Sequence, residues 1–198
     1  MGTTFLFGIP ESGKTWKGCE LAAAVAQEKG LQVLYVDPIG DAPVSGVVEC
    51  GTDWRLAVRT IWTDKRHAHV KPTSEAESEI LAAAVLAGGN CVAVWDEFGF
   101  FSSGRSVGAR VEELIRSARH YNVHLFACTQ FCGDIPPGLL NCARFVYIFR
   151  NNSWRAVERI RQEYEIPAEV VRNFEEREYL VWDAWGKRKL LTQEPPAP

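Results

Sequence analysis

Short, unbroken apolar runs alternate along this chain with longer stretches whose apolar positions recur every three or four residues. An unbroken run of four to seven marks a strand buried on both faces of a parallel sheet, and the three-to-four spacing marks a helix with one buried face. Thr3–Phe7 is the first such strand, and Trp16–Lys29, rich in alanine and ended by Gly30, is the first helix. Leu31–Val36 is a second strand, stopped by Asp37-Pro38, and Val44–Cys50 holds a short third. Asp53–Thr63 predicts a helix with Asp53 as its cap. The stretch DKRHAHVKPT, Asp64–Thr73, is polar, basic and closed by a proline, and predicts an exposed loop. Ser74–Ala87 predicts a helix in which Glu77 completes a capping box with Ser74, and Gly88-Gly89 ends it.

Further along, Cys91–Trp95 and Val123–Thr129 read as buried strands, with a helix over Gly108–Tyr121 between them. Pro136–Cys142 is a short turn or helix, Phe145–Phe149 a strand, and Ser153–Tyr164 and Pro167–Phe174 two helices. Tyr179–Trp182 and Lys187–Thr192 predict a hairpin about Asp183–Gly186, and the QEPPAP tail predicts disorder. Strands alternating with helices predict an α/β protein with a doubly wound, mainly parallel sheet whose ligands sit at the carboxyl ends of the strands. The expected organisation is one domain over 1–192, with a core over 3–150, a helix-and-hairpin extension over 151–192 and a tail over 193–198.

The first strand and helix flank FGIPESGKT, in which Gly8 is followed after four residues by Gly13-Lys14-Thr15. This is the spacing of a phosphate-binding loop: glycines let successive N–H groups turn inward, the lysine reaches the outer phosphates, and the hydroxyl holds a magnesium ion. The following helix aims its positive end at the same anion. Gly8, Pro10, Glu11, Ser12, Gly13, Lys14, Thr15 and Trp16 are therefore the expected nucleotide-binding residues. The Cys91–Trp95 strand ends in Asp96-Glu97, an acid pair suited to a magnesium–nucleotide site. With Thr15, Asp96 would hold the metal through water, and Glu97 would polarise the water that attacks the γ-phosphate. The next strand ends in Thr129-Gln130, polar groups placed to touch that phosphate or that water.

Charge and composition narrow the reading. Hydrophobic residues make up 46%, which suits a folded core, and no apolar run approaches the roughly 20 residues that cross a bilayer. The N-terminus leads straight into the first strand, so no signal peptide is expected, and the six cysteines form no CxxC pair. They predict reduced core residues of a cytoplasmic protein. The net charge of −3 does not suggest a free-standing nucleic-acid binder. Its distribution is uneven: Arg105–Arg161 holds nine arginines, no lysine and four acids, whereas Glu163–Glu178 holds six acids and two arginines. An arginine block can bind phosphates or simply pair and solvate on helix surfaces.

The combination of Gly8–Thr15, Asp96-Glu97 and Gln130 resembles the additional-strand, catalytic-glutamate (RecA-like) class of P-loop ATPases. Within it, ELIRSARHYNVHLFACTQ followed by PPGLLNCARFVYIFR is similar to the FtsK/HerA group of DNA-pumping motors, and most to the genome-packaging ATPases of membrane-containing, double-jelly-roll viruses. The likeness spans about residues 3–150. Phe131 stands where many relatives carry an arginine after the glutamine. The resemblance implies a Mg2+-dependent ATPase in the host cytoplasm, assembled as a ring, expectedly a hexamer, that drives double-stranded DNA through its pore into a capsid and meets capsid vertex proteins. It also implies an arginine supplied by the neighbouring subunit, for which Arg119 is the first candidate and Arg116, Arg144 and Arg150 follow. DNA contacts are expected from the loop FGFFSSGRSVGAR, through Arg105 and Arg110, or from Lys65, Arg66 and Lys71 in the earlier loop. His67 and His69 have no nearby acid or cysteine pattern, so no metal site is expected there.

One rival reading is a type II thymidine kinase, which shares the length, a phosphate loop and an aspartate–glutamate pair followed by aromatics. That family carries a zinc lasso with paired CxxC motifs, which this chain lacks. A non-hydrolysing nucleotide switch would not need Glu97. A phage-assembly ATPase of the zonula-occludens-toxin type usually carries a membrane span.

Overall fold

The computed structural model describes residues 2–40, 42–100, 107–130, 132–184 and 188–193, the last six through their backbone alone. Nine strands among them form one sheet. In chain order they are β1 (Gly2–Phe7), β2 (Gln32–Val36), β3 (Val48–Glu49), β4 (Ala68–Val70), β5 (Cys91–Trp95), β6 (Val123–Thr129), β7 (Ala143–Phe149), β8 (Glu178–Asp183) and β9 (Arg188–Gln193). The helices are α1 (Lys14–Lys29), α2 (Trp54–Trp62), α3 (Glu75–Gly88), α4 (Ala109–Ser117), α5 (Pro137–Leu140), α6 (Trp154–Tyr164) and α7 (Ala168–Arg172).

The strands lie in the order β3-β4-β2-β5-β6-β1-β7-β8-β9. The first seven are mutually parallel, and the β8–β9 hairpin adds antiparallel to β7. Strand β6 lies between β5 and the loop-bearing β1, which is the additional strand the resemblance implies. Helix α1 covers one face, where Cys19, Ala22 and Ala26 meet Leu6, Val33, Val94, Phe126 and Cys128. Helices α2, α3, α4 and α6 bury the larger core on the other face, around Phe5, Phe7, Leu34, Leu81, Leu114, Leu125 and Ile160. With both faces covered, β5 is buried at every position, as its unbroken CVAVW predicts. All six cysteines are free thiols, and burial pushes Cys19 and Cys91 up to about 12, so both stay protonated and unreactive.

Four expectations are corrected. The predicted exposed loop Asp64–Thr73 contains β4, a fully buried strand between β2 and β3. Three residues are too few for alternation to show, and the flanking charges hide it. The helix expected to reach Tyr121 ends as α-helix at Ser117 and finishes in one 3-10 turn, Ala118–Tyr121, after which Asn122 turns left-handed at φ 57. In the capping box, Ser74 Oγ accepts from Glu77 N–H, but the Glu77 carboxylate accepts from Thr73 N–H at 2.7 Å, one residue earlier than expected. The fourth concerns His69, which does find acids.

His69 of β4 is buried between carboxylates from both neighbouring strands. Its Nδ1 lies 2.8 Å from Glu49 Oε2, and its Nε2 stands 3.6 Å from Asp37 Oδ2. The Asp37 carboxylate, against the effect of burial, holds the imidazole above its ordinary value. Burial raises Asp37 itself, but His69 and the N–H groups of Gly40, Ala42 and Ile39 outweigh it and bring the carboxyl down to about 2. The sign of the linkage follows. A raised histidine stabilises the fold fully below about pH 6.5, and that contribution fades as pH rises through its folded value. His69→Gln should therefore cost about 1 kcal/mol near pH 6, the scale of one partly screened ion pair, and progressively less toward pH 9. Thermal melts of both proteins across that range check it. A gap independent of pH would mean that packing alone is lost.

Candidate functional site

The loop between β1 and α1 hangs across the carboxyl ends of the two strands that flank β1. Gly8 N–H donates to the Thr129 carbonyl at 3.2 Å, and Ile9 N–H to the Arg150 carbonyl at 3.1 Å. Gly8 is required here: a Cβ would sit 2.7 Å from Phe149 Cβ and strike Ser12 Oγ. The loop then doubles back through Glu11 at φ 61 and Gly13 at φ 93, a backbone that only glycine adopts cheaply at the second position. Helix α1 starts at Lys14 with no side-chain cap and no acid in its first turn. Its leading N–H groups and positive end are left for an anion.

Across the loop, β5 delivers the acid pair. Asp96 N–H donates to the Val36 carbonyl and Phe98 N–H to the Cys128 carbonyl, each at 2.8 Å, so the turn after β5 is pinned to the strands on either side. Glu97 takes φ 42 in that turn. The Asp96 carboxylate accepts from Thr15 Oγ1 at 2.9 and 3.1 Å. Glu97 Oε1 lies 2.8 Å from Lys14 Nζ and accepts from Gln130 Nε2 at 3.0 Å. Lys14, Thr15, Asp96, Glu97 and Gln130, drawn from three parts of the chain, thus form one connected cluster. Burial raises the Asp96 carboxyl to about 6, although the Lys14 charge and the Thr15 hydroxyl pull the other way. A buried carboxylate beside a hydroxyl is a hard-oxygen donor pair, and magnesium fits it.

Sequence reasoning missed what holds Gln130. The Gln130 carbonyl accepts from Asn151 Nδ2 at 3.0 Å, and Asn151 Oδ1 accepts from Ser153 N–H at 3.1 Å. Asn151 N–H donates to the Val171 carbonyl at 3.3 Å, and the residue is fully buried. Helices α6 and α7 are thereby tied to the end of β6. Pro43, Glu176 and Arg177 were also missed. They join Glu11, Gly13, Lys14, Thr15 and Trp16 around a depression of about 340 Å³. Pro10 and Glu11 are exposed at the loop tip, while Ser12 is buried.

The other candidate residues are dispersed. Arg119, Arg116 and Arg144 line one depression of about 380 Å³ beside Gly2, Thr3 and Ala143, at the amino ends of the strands and so at the opposite edge of the sheet from the phosphate loop. Arg116 also pairs with Glu112 at 2.8 Å. Arg150, by contrast, follows β7 at the phosphate-loop edge of its own chain, and its buried Nε has no hydrogen-bond partner among the described residues. Arg110 opens α4, pairs with Glu113 at 2.6 Å and donates its N–H to Glu79. Arg105, Phe101 and Phe131 lie outside the described residues. Phe98 packs inward against Phe5, whereas Phe100 is 59% exposed. Lys65 and Arg66 precede β4, so they lie toward the amino ends, while Phe98 follows the carboxyl end of β5.

No protein-family model matches the chain, and no curated protein matches it by sequence. Solved structures do match. The genome packaging NTPase B204 from Sulfolobus turreted icosahedral virus 2, in complex with AMPPCP, aligns with a TM-score of 0.77 at 18% identity over 97% of each chain. VirB4 of Thermoanaerobacter pseudethanolicus aligns with a TM-score of 0.70 at 11% identity over 99% of this chain and 90% of its own. The cytoplasmic domain of the type VII secretion ATPase EccC from Thermomonospora curvata aligns with a TM-score of 0.63 at 11% identity, over all of this chain and 24% of its own. The chain has the fold of these proteins, a mainly parallel sheet with β6 inserted between β5 and the loop-bearing β1, and it shares that architecture over almost its whole length with a viral genome-packaging NTPase and with VirB4.

Proposed function

We propose that this chain is a Mg2+-dependent ATPase that converts hydrolysis into movement of double-stranded DNA, filling a viral capsid. The observation that carries the reading is the meeting of Lys14, Glu97 and Gln130 at the phosphate loop. It occurs in a chain whose fold aligns with that of a genome packaging NTPase over 97% of its residues. The first-turn N–H groups of α1 and the loop backbone bind the phosphates, and Lys14 leaves Glu97 to reach the outermost one. Thr15 and Asp96 would hold magnesium, which when bound neutralises charge on the phosphate oxygens. Glu97, released from Lys14, takes a proton from the attacking water, and Gln130 orients that water or the γ-phosphate.

The Arg116–Arg119–Arg144 edge suits an arginine supplied to a neighbouring subunit, with Arg119 first. On this reading ATP lies at the subunit interfaces of a ring, taken as a hexamer, with DNA in its pore. Arg105, Arg110, Lys65 and Arg66 remain the proposed DNA contacts, and capsid vertex proteins the proposed further partners. The place of action would be the host cytoplasm. Among the described residues no helix is long and apolar enough to cross a membrane.

The test is phosphate release by the purified protein with ATP alone, with double-stranded DNA and with thymidine. DNA should stimulate turnover several-fold. Turnover only with thymidine, giving its monophosphate, would replace the motor by a nucleoside kinase.

A further inference from the structure

The turn that leads into β8 is fastened to the phosphate loop. Arg177 N–H donates to the Ser12 carbonyl at 3.3 Å, and Glu178 N–H to the Glu175 carbonyl at 3.2 Å closes the turn. Glu175 N–H donates to the Glu178 carboxylate at 2.9 Å. The Arg177 side chain lies over the loop backbone, so that a Cβ on Gly13 would come within 3.1 Å of its Cγ. Its guanidinium stands 5.5 Å from the centre of the Trp16 ring. Trp16 is the residue after Thr15 on the first turn of α1, and Pro43 faces the pair from the loop after β2.

These residues enclose the depression of about 340 Å³ whose floor is Gly13, Lys14 and Thr15. Its size falls within the range of about 300–1,000 Å³ typical of small-ligand clefts. A triphosphate whose phosphates rest on that floor carries its nucleoside into the space between Trp16, Pro43 and Arg177. We propose that Trp16 and Arg177 form the nucleoside-binding pair of this site, an assignment that rests on the ATPase reading above. The indole offers a π face to the base, and the planar guanidinium adds a cation–π partner. Both read the face of a base rather than its edge, and every base has such a face, so ATP and GTP should bind alike.

The backbone argues against a purely architectural role for Arg177. The residue sits at φ 63, left-handed, where a non-glycine residue is strained and glycine is not. Its N–H bond to Ser12 would hold the turn equally well from a glycine. Among the described residues its guanidinium has only the Trp16 ring and a 3.8 Å pair with Glu176 as partners, and it lies across the phosphate loop where a nucleotide would meet it.

Calorimetry with Mg·ATP, Mg·GTP and Mg·tripolyphosphate tests the assignment, because the last carries phosphates without a nucleoside. Arg177→Gly suits the backbone and removes only the side chain, and Trp16→Ala removes the other partner. Each should weaken ATP and GTP binding about ten-fold and leave tripolyphosphate within two-fold. Unchanged ATP affinity, or equal losses for ATP and tripolyphosphate, would overturn the assignment. Lys14→Ala separates the two levels of inference. If it loses all three ligands while Arg177→Gly changes nothing, only the nucleoside pair falls. If the wild type binds none of the three, the ATPase reading falls and takes the pair with it.

Discussion

The Glu97→Gln protein binds ATP at least as tightly as the wild type and turns it over about 10²–10⁴-fold more slowly, the range expected for losing a general base. Glutamine keeps the shape of the side chain and cannot accept the proton of the attacking water. The structure adds a second consequence. Glu97 Oε1 and Lys14 Nζ form a 2.8 Å ion pair whose side chains are 11% and 6% exposed. Any phosphate must draw Lys14 away from that partner. Removing the charge on Glu97 frees the lysine in advance, so affinity holds or rises a few-fold while kcat collapses. Phosphate release gives the rate and calorimetry the affinity. Parallel losses in both would remove Glu97 from the role of base.

Lys14→Ala acts on the other half of the same pair and has the opposite signature. A charge-assisted contact to phosphate contributes about 1.5–3 kcal/mol, so ATP affinity falls by about 10–100-fold. The substitution also strands Glu97, close to the buried Asp96, without its cation. Deleting one member of a buried ion pair costs about 3–5 kcal/mol, and Tm should fall accordingly. Adding Glu97→Gln to Lys14→Ala should restore much of that stability while binding stays lost. Thermal melts of the four proteins check this. Additive losses in the double variant would mean that the two side chains are not coupled in the folded protein.

How far the sequence could be read depended on how local each signal was. The strand–loop–helix around Gly8–Thr15 and the acids after β5 are contiguous, with spacing fixed by chemistry, and they stand where the pattern puts them. The neighbour relation of β5, β6 and β1 came from the resemblance, since no periodicity encodes strand order. Strand β4 was illegible because three residues cannot display a period, and its histidine was bracketed by charge. The acids that hold His69 belong to β3 and to the end of β2, and only the sheet brings them together. Asn151, Pro43 and Arg177 carry no motif. Asn151 acts through a backbone carbonyl, and the left-handed φ of Arg177 leaves no trace in composition.

On the ring reading proposed above, the separation of the phosphate loop from the Arg116–Arg119–Arg144 depression, at opposite ends of the strands, gives each subunit a direction. A two-fold pair serves both sites only where one interface patch carries both the loop and the arginines. In the proposed ring the contact is heterologous, and service runs head to tail. An open chain of such subunits always ends with one nucleotide site unserved and one arginine set idle, and only closure into a ring completes every site. In a mixed ring, a subunit carrying Arg119→Ala would keep its own turnover and silence that of the neighbour it faces.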